Sequence, residues 1–171
     1  MIKRLPLVVL ILSFSVLISL ACNKKGPLLN DPVDFPLSAL VDEAIDGDTV
    51  RIRGGRLVRY IGIDAPELRR KVNGSWIYEP APFSREAYEL NRRLVEGKSV
   101  RLEYDEEKSD KYKRALAYVY AGDILVNGEI VKAGLARASI YRPNTKYADL
   151  LIKLEKDAKM GKRGIWGENK Q

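Results

Sequence analysis

One stretch constrains this chain more than any other: Ala44-Ile45-Asp46-Gly47-Asp48-Thr49-Val50, then Gly54-Gly55, then residues 58–67, which run Val-Arg-Tyr-Ile-Gly-Ile-Asp-Ala-Pro-Glu. Residues 49–53 and 56–63 are β-prone, and Gly-Gly between such runs is a favoured two-residue hairpin signal. Folding that hairpin brings its outer ends together. Asp48 and Asp64 then stand side by side as hard oxygen ligands, with Glu67 and Arg59 beside them. Carboxylates crowded in this way are costly unless a metal ion or a phosphate completes the set. Strict alternation puts Arg59 and Asp64 on opposite faces of one strand. If both serve one site, the strand must twist or bulge near Gly62.

The front of the chain reads as a targeting segment. Lys3 and Arg4 are a basic start, residues 5–20 are almost wholly apolar, and Ala21 precedes Cys22, the one cysteine among 171 residues. About sixteen apolar residues is short for a bilayer span, so cleavage is expected, with residues 1–21 as a signal peptide. Ser19-Leu20-Ala21-Cys22 resembles the lipobox of bacterial lipoproteins, although that pattern usually has an aliphatic residue where Ser19 stands. The expectation is lipidation at Cys22 and attachment to a bacterial cell envelope, or secretion if the thiol stays free. Lys3 and Arg4 leave with the leader and no acid does, which takes the formal net charge from +7 to +5. A modest basic excess suits a polyanionic partner and suits plain solubility equally. Histidine is absent, so mechanisms that need an imidazole as base or ligand are excluded.

Residues 22–36 carry Gly26, Pro27, Pro32 and Pro36 and read as the lipidated cysteine and a linker. Fully extended, the linker reaches about 45 Å. Residues 37–171 then form one domain. Residues 37–45 read as a first strand that makes a meander with the hairpin. Residues 68–76, Leu-Arg-Arg-Lys-Val-Asn-Gly-Ser-Trp, show neither periodicity and read as a basic loop, either merely solvated or guiding a nucleic-acid strand. Phe83, Ala87, Leu90 and Leu94 fall on one helical face that ends at Gly97, and residues 99–104 alternate as a fourth strand. A charged turn over 105–110 leads through Lys111-Tyr112-Lys113-Arg114 into a fifth strand over 115–120. Asn127 can cap a short helix that stops at Gly134, and Tyr147, Leu150, Leu151, Leu154 and Ala158 stripe a last helix. Five strands and three helices in this order suit a small closed antiparallel barrel with helices packed on it, an α+β domain.

Each motif alone is weak, since Asp-Gly-Asp-Thr is by itself a common turn and a lone strand arginine is ordinary surface. Together they resemble the staphylococcal nuclease (thermonuclease) family over about residues 40–168. The resemblance rests on the 44–50 motif, Arg59 with Ile63-Asp64-Ala65-Pro66-Glu67, residues 110–120, Ala133-Gly134-Leu135-Ala136 and Gly164-Ile165-Trp166. It implies a five-stranded OB-type barrel with three helices. It further implies that Asp48, Asp64 and the main-chain carbonyl of Ala65 bind one Ca²⁺, an all-oxygen set that suits a hard cation. Glu67 matches the carboxylate that orients or deprotonates the attacking water, and Arg59 and Arg114 match the two guanidinium groups on the scissile phosphate. Lys111 and Tyr112 resemble contacts to the neighbouring phosphate, and Tyr141 an aromatic residue near the base.

The chain departs from the family pattern with Ala65 for threonine, Lys113 for the glycine before Arg114, and Ser139 where a tyrosine often stands beside the base. The implied activity is calcium-dependent endonucleolytic hydrolysis of DNA and RNA, single strands favoured, leaving 3′-phosphate ends, by a monomer held to a membrane through its lipid. The alternative is a non-catalytic OB-type module that binds nucleic acid or protein; such a module has no need of Asp48, Asp64, Glu67, Arg59 and Arg114 all at once.

Overall fold

The structure, a computed structural model, describes residues 35–167. The expected signal peptide, Cys22 and nearly all of the linker lie outside the described residues. In chain order the elements are β1 (Ser38–Ala44), β2 (Thr49–Ile52), β3 (Leu57–Tyr60), β4 (Ile63–Asp64), β5 (Arg69–Val72), β6 (Ser75–Tyr78) and α1 (Ser84–Val95). There follow β7 (Ser99–Glu103), β8 (Ala115–Ala121), β9 (Ile124–Leu125), α2 (Val126–Lys132), β10 (Arg137–Ala138), α3 (Ala148–Met160) and a 3-10 turn at Gly164–Trp166.

Five strands close a barrel in the order β3-β2-β1-β7-β8, and β8 returns to pair with β3. β1 serves two neighbours. Its first half, Ser38 to Leu40, pairs with β7, and its second half, from Val41, pairs with β2. The register shifts between Val41 and Glu43, a bulge that lets one strand turn the barrel's corner. The closing pair is parallel, with Val58 opposite Ala115, Arg59 opposite Leu116 and Tyr60 opposite Ala117. Val58, Tyr60, Ala115 and Ala117 are buried and so point inward. By alternation Arg59, and Arg114 two residues before Leu116, share the outer face. The α+β barrel with three helices is thus the architecture the sequence led us to expect, except that the closing β3–β8 pair is parallel where an antiparallel barrel was expected.

Several local expectations need correction. The hairpin loop holds three residues, because the Ile52 N–H donates to Arg56 O and the Gly55 N–H to Ile52 O. The run over 56–63 is not one strand. It stops at Tyr60, turns through Gly62 at φ 78°, and resumes as β4 against β10. The break near Gly62 therefore exists, and a Cβ there would also lie 2.6 Å from Leu151 Cδ1. Residues 68–76 are no irregular loop, since β5 and β6 pair around Asn73-Gly74. In α3 the buried stripe includes Leu151 and Ala158, while Leu150 faces solvent.

Asn127 does not cap α2, whose N-cap is Leu125. Its fully buried amide accepts from the Val119 N–H at 2.9 Å and donates to Ile61 O at 2.9 Å, tying the break after β3 to β8. Asn127→Leu strands a backbone donor and a backbone acceptor in the core. Unsatisfied buried groups cost about 1–3 kcal/mol each, so a loss of about 2–6 kcal/mol in denaturant unfolding is expected. An unchanged unfolding midpoint would show that the amide is not holding the break.

Candidate active site

The Asp46-Gly47-Asp48 turn is pressed into the barrel. A Cβ on Gly47 would lie 2.6 Å from Ala65 Cβ and 2.7 Å from Ala87 Cβ, so only glycine lets the turn sit this close to β4 and α1. α1 fixes the turn from behind, where the Asn91 side chain donates from Nδ2 to Asp46 O at 2.8 Å and accepts the Tyr60 hydroxyl on Oδ1 at 2.8 Å. Asp48 is 1% exposed. One of its oxygens accepts the Ala65 N–H at 2.7 Å, and the other accepts the Thr49 hydroxyl at 3.2 Å.

Arg59 joins the two ends of the acidic stretch. One guanidinium nitrogen contacts Asp48 Oδ1, and the other lies 2.7 Å from Asp64 Oδ1 and 3.3 Å from Ile63 O. This is possible only because the chain turns at Gly62. Asp64 is exposed and Asp48 is buried, yet their carboxylates converge on one positive group. The fold therefore already sets hard oxygens from both residues around a single cation, which is the donor chemistry a calcium ion requires. Among the described residues no group of three or more Asp, Glu, His or Cys side chains gathers as a metal cage. A metal ion here would draw its remaining ligands from main-chain carbonyl and water oxygens.

Arg114 is held by one carboxylate. Asp110 accepts its Nε–H at 2.7 Å and its backbone N–H at 3.0 Å, and also the Tyr112 N–H at 2.9 Å. The guanidinium carbon lies 5.7 Å from the Tyr112 ring centroid, and Lys111 Nζ lies 5.1 Å from the same ring on its own account. Lys113 takes φ 64°, the left-handed conformation that a glycine adopts without strain. A cleft of about 600 Å³ brings Arg59, Asp64, Lys111, Tyr112, Arg114 and Tyr141 onto one wall-to-wall surface, with Ser139. Tyr112 and Tyr141 are 69% and 77% exposed at its rim, free to meet a flat ligand. Two lining segments are tied together by a reciprocal pair, Glu107 N–H to Asn144 Oδ1 and Asn144 Nδ2 to Glu107 O, each 2.8 Å. Ala65 is buried and, with Asp64, lines the adjoining hollow beside Arg137.

Glu67 is exposed to solvent and lies within electrostatic reach of Arg59, Arg114, Asp46 and Asp64. Partial desolvation of its carboxyl raises its pKa; the charges of Asp46 and Asp64 act the same way, against Arg59 and Arg114. Asp46, which sequence reasoning treated only as part of a turn, is raised as well, by burial, with Arg59, Thr49 and Arg114 opposing. Its Oδ1 accepts the Asp48 N–H at 3.0 Å, the local turn bond that an Asp-Gly-Asp pattern signals. Asp110 was also missed as a support for Arg114, since nothing in its flanking residues marks it apart from other turn acids.

Residues 57–168 match the family described as "Staphylococcal nuclease homologue". The chain belongs to the staphylococcal nuclease family. A relative named thermonuclease in Staphylococcus intermedius is 38% identical over 170 residues, covering 96% of this chain and 98% of that one. The thermonuclease of Staphylococcus hyicus is 38% identical over 74% of this chain and 73% of its own. "Endonuclease YncB" of Bacillus subtilis is 38% identical over 78% of this chain and 63% of its own. In the family's terms, the shared surface lies on the outer face of an OB-type barrel, where β3 and β8 run side by side.

Proposed function

We propose that the protein is a calcium-dependent endonuclease that hydrolyses phosphodiester bonds of DNA and RNA and leaves 3′-phosphate ends. The observation that carries this reading is the convergence of Asp48 and Asp64 on Arg59, with Arg59, Asp64 and Arg114 lining one cleft and Glu67 within electrostatic reach of both arginines, in a family whose relatives are named as nucleases.

Arg59 and Arg114 hold the scissile phosphate through planar, permanently charged forks, and their donors match the charge that builds on the phosphoryl oxygens in the transition state. Asp110 keeps the Arg114 fork aimed, so little reorganisation is needed when the phosphate arrives. Glu67 orients a water for in-line attack and takes its proton. Attack from that side expels the 5′ oxygen. Asp48, Asp64 and the Ala65 carbonyl would hold Ca²⁺, which when bound supplies a Lewis acid for the phosphate and a site for water. Lys111 and Tyr112 take the neighbouring phosphate, and Tyr141 stacks on a base, which favours single strands without reading sequence. Every one of these groups comes from one chain, consistent with a working monomer.

The products test the reading directly. Digested oligonucleotides should carry free 5′-hydroxyls and accept a labelled phosphate from polynucleotide kinase without prior phosphatase treatment. Ends that need phosphatase first would place the leaving group on the other oxygen.

The same proposal covers the front of the chain: residues 1–21 as a removed signal peptide, Cys22 as the lipidated residue, residues 22–36 as a tether, and the cell envelope as the location. Among the described residues no helix is long and apolar enough to cross a membrane. Cys22→Ser should move the protein from the membrane fraction to the soluble fraction; retention in the membrane would remove lipidation at Cys22.

A further inference from the structure

The β5–β6 hairpin plays no part in the chemistry above. Its register sets Arg69 opposite Tyr78, Arg70 opposite Ile77, Lys71 opposite Trp76 and Val72 opposite Ser75. Opposed residues of an antiparallel pair share a face, so Arg69, Lys71, Trp76 and Tyr78 lie together on one side. The two sides differ in charge. On the other, Arg70 is neutralised by Glu79, with which it makes three contacts of 2.8–3.2 Å. On the first, neither Arg69 nor Lys71 has an ion-pair partner among the described residues. Trp76 is 65% exposed and Tyr78 60%.

This cationic and aromatic side is not a flat surface. Arg69 and Tyr78 line a groove of about 660 Å³ that they share with Arg51, Arg85 and Tyr88. Arg85 sits 5.6 Å from the centroid of the Tyr78 ring. The acids that share the groove are already paired, Glu43 with Arg51 at 2.6 Å and Glu89 with Arg92 at 2.8 Å. The base of the hairpin is the catalytic edge itself. The Ala81 N–H bonds Glu67 O at 3.0 Å, the Glu79 N–H bonds Leu68 O at 3.2 Å, and Arg69 follows Glu67 by two residues.

We propose that the hairpin is a binding arm for single-stranded nucleic acid, extending the substrate path from Glu67 outward: bases stack on Trp76 and Tyr78, and phosphates lie against Arg69 and Lys71. Unpaired cations interleaved with open rings fit a polyanion that carries planar bases. A bilayer would be met at the hairpin's tip, and the tip is the polar Asn73-Gly74. The inference rests on the nuclease reading, and it adds a dependence on strand length.

The test compares the full chain in detergent with Trp76→Ala/Tyr78→Ala and with Lys71→Gln. The substrates are a dithymidine diester and an oligothymidine of about 20 nucleotides, with Ca²⁺ present. Stacking losses predict that the double variant's ratio of kcat/KM, long over short, falls about tenfold to a hundredfold. Lys71→Gln should lower the salt slope of log KM for the long strand by about 0.7. In chelator, oligothymidine should quench the fluorescence component that Trp76→Phe removes, with or without turnover. An unchanged ratio together with an unchanged salt slope overturns the arm while hydrolysis by the wild type leaves the nuclease reading standing. Wild-type protein that hydrolyses neither substrate yet shows the Trp76 quench loses the nuclease reading and keeps a strand-binding hairpin. A Trp76 component that responds to phosphatidylglycerol vesicles and not to oligothymidine would overturn the proposal in favour of a membrane-facing hairpin.

Discussion

Arg114→Gln is expected to lower kcat on denatured DNA by about 10²–10³, the usual cost of removing one donor aimed at charge that develops in a transition state. The fold should survive. The side chain is 29% exposed and its one ion pair, to Asp110, is of the partly open kind worth at most about 1 kcal/mol. Asp110 keeps two backbone N–H donors, from Tyr112 and residue 114, after the guanidinium is gone. Arg114→Lys separates charge from shape. It keeps a cation but loses the planar fork, and only a small part of the activity should return. A wild-type kcat in the glutamine variant, with its unfolding midpoint unchanged, would take Arg114 out of the mechanism.

Glu67→Ser is expected to cost about 10²–10⁴ in kcat, the range for a positioned general base. Stability should not fall. A carboxyl whose pKa is raised on folding favours the folded state only at low pH, and that contribution is lost as pH rises through the raised value. At neutral pH its charge works against Asp46 and Asp64, so removing it relieves the acidic patch. Activity and thermal unfolding measured on the same preparation separate the two effects. Full turnover in the serine variant would leave the water to be activated by some other group; a lower midpoint would mean that Glu67 is structural.

The barrel was legible because its strands alternate, its helices carry clear stripes, and glycines mark their ends. The hairpin was legible too, but its register carries Asp48 only to Tyr60, and it is the turn at Gly62 that brings Asp64 back to the same guanidinium. The same logic exposed the conflict between Arg59 and Asp64, which Gly62 resolves by ending β3 and letting β4 pair with β10. The β5–β6 hairpin escaped notice although Asn73-Gly74 is a strong turn signal. Both of its faces are open to solvent, so Arg69-Arg70-Lys71 shows no alternation of apolar and polar residues. The backbone-holding roles of Asp46, Asp110 and Asn127 escaped for a shared reason. Each works by accepting backbone N–H groups, one of them eight residues away, and such bonds leave no periodicity. Asn127 has the side chain of a cap and the position of a bridge, a distinction made only when α2 packs beneath β8.

In the proposed mechanism Arg59, Glu67 and Arg114 hydrolyse nucleic acid with a cation held by Asp48 and Asp64. Purified full chain incubated with denatured DNA, in parallel with Ca²⁺ and with a chelator of Ca²⁺, tests it most directly. Progressive shortening of the DNA in the Ca²⁺ reaction alone is the predicted result. DNA that is bound but stays intact in the presence of Ca²⁺ would contradict a hydrolytic centre, and equal digestion in both reactions would contradict the role given to Asp48 and Asp64.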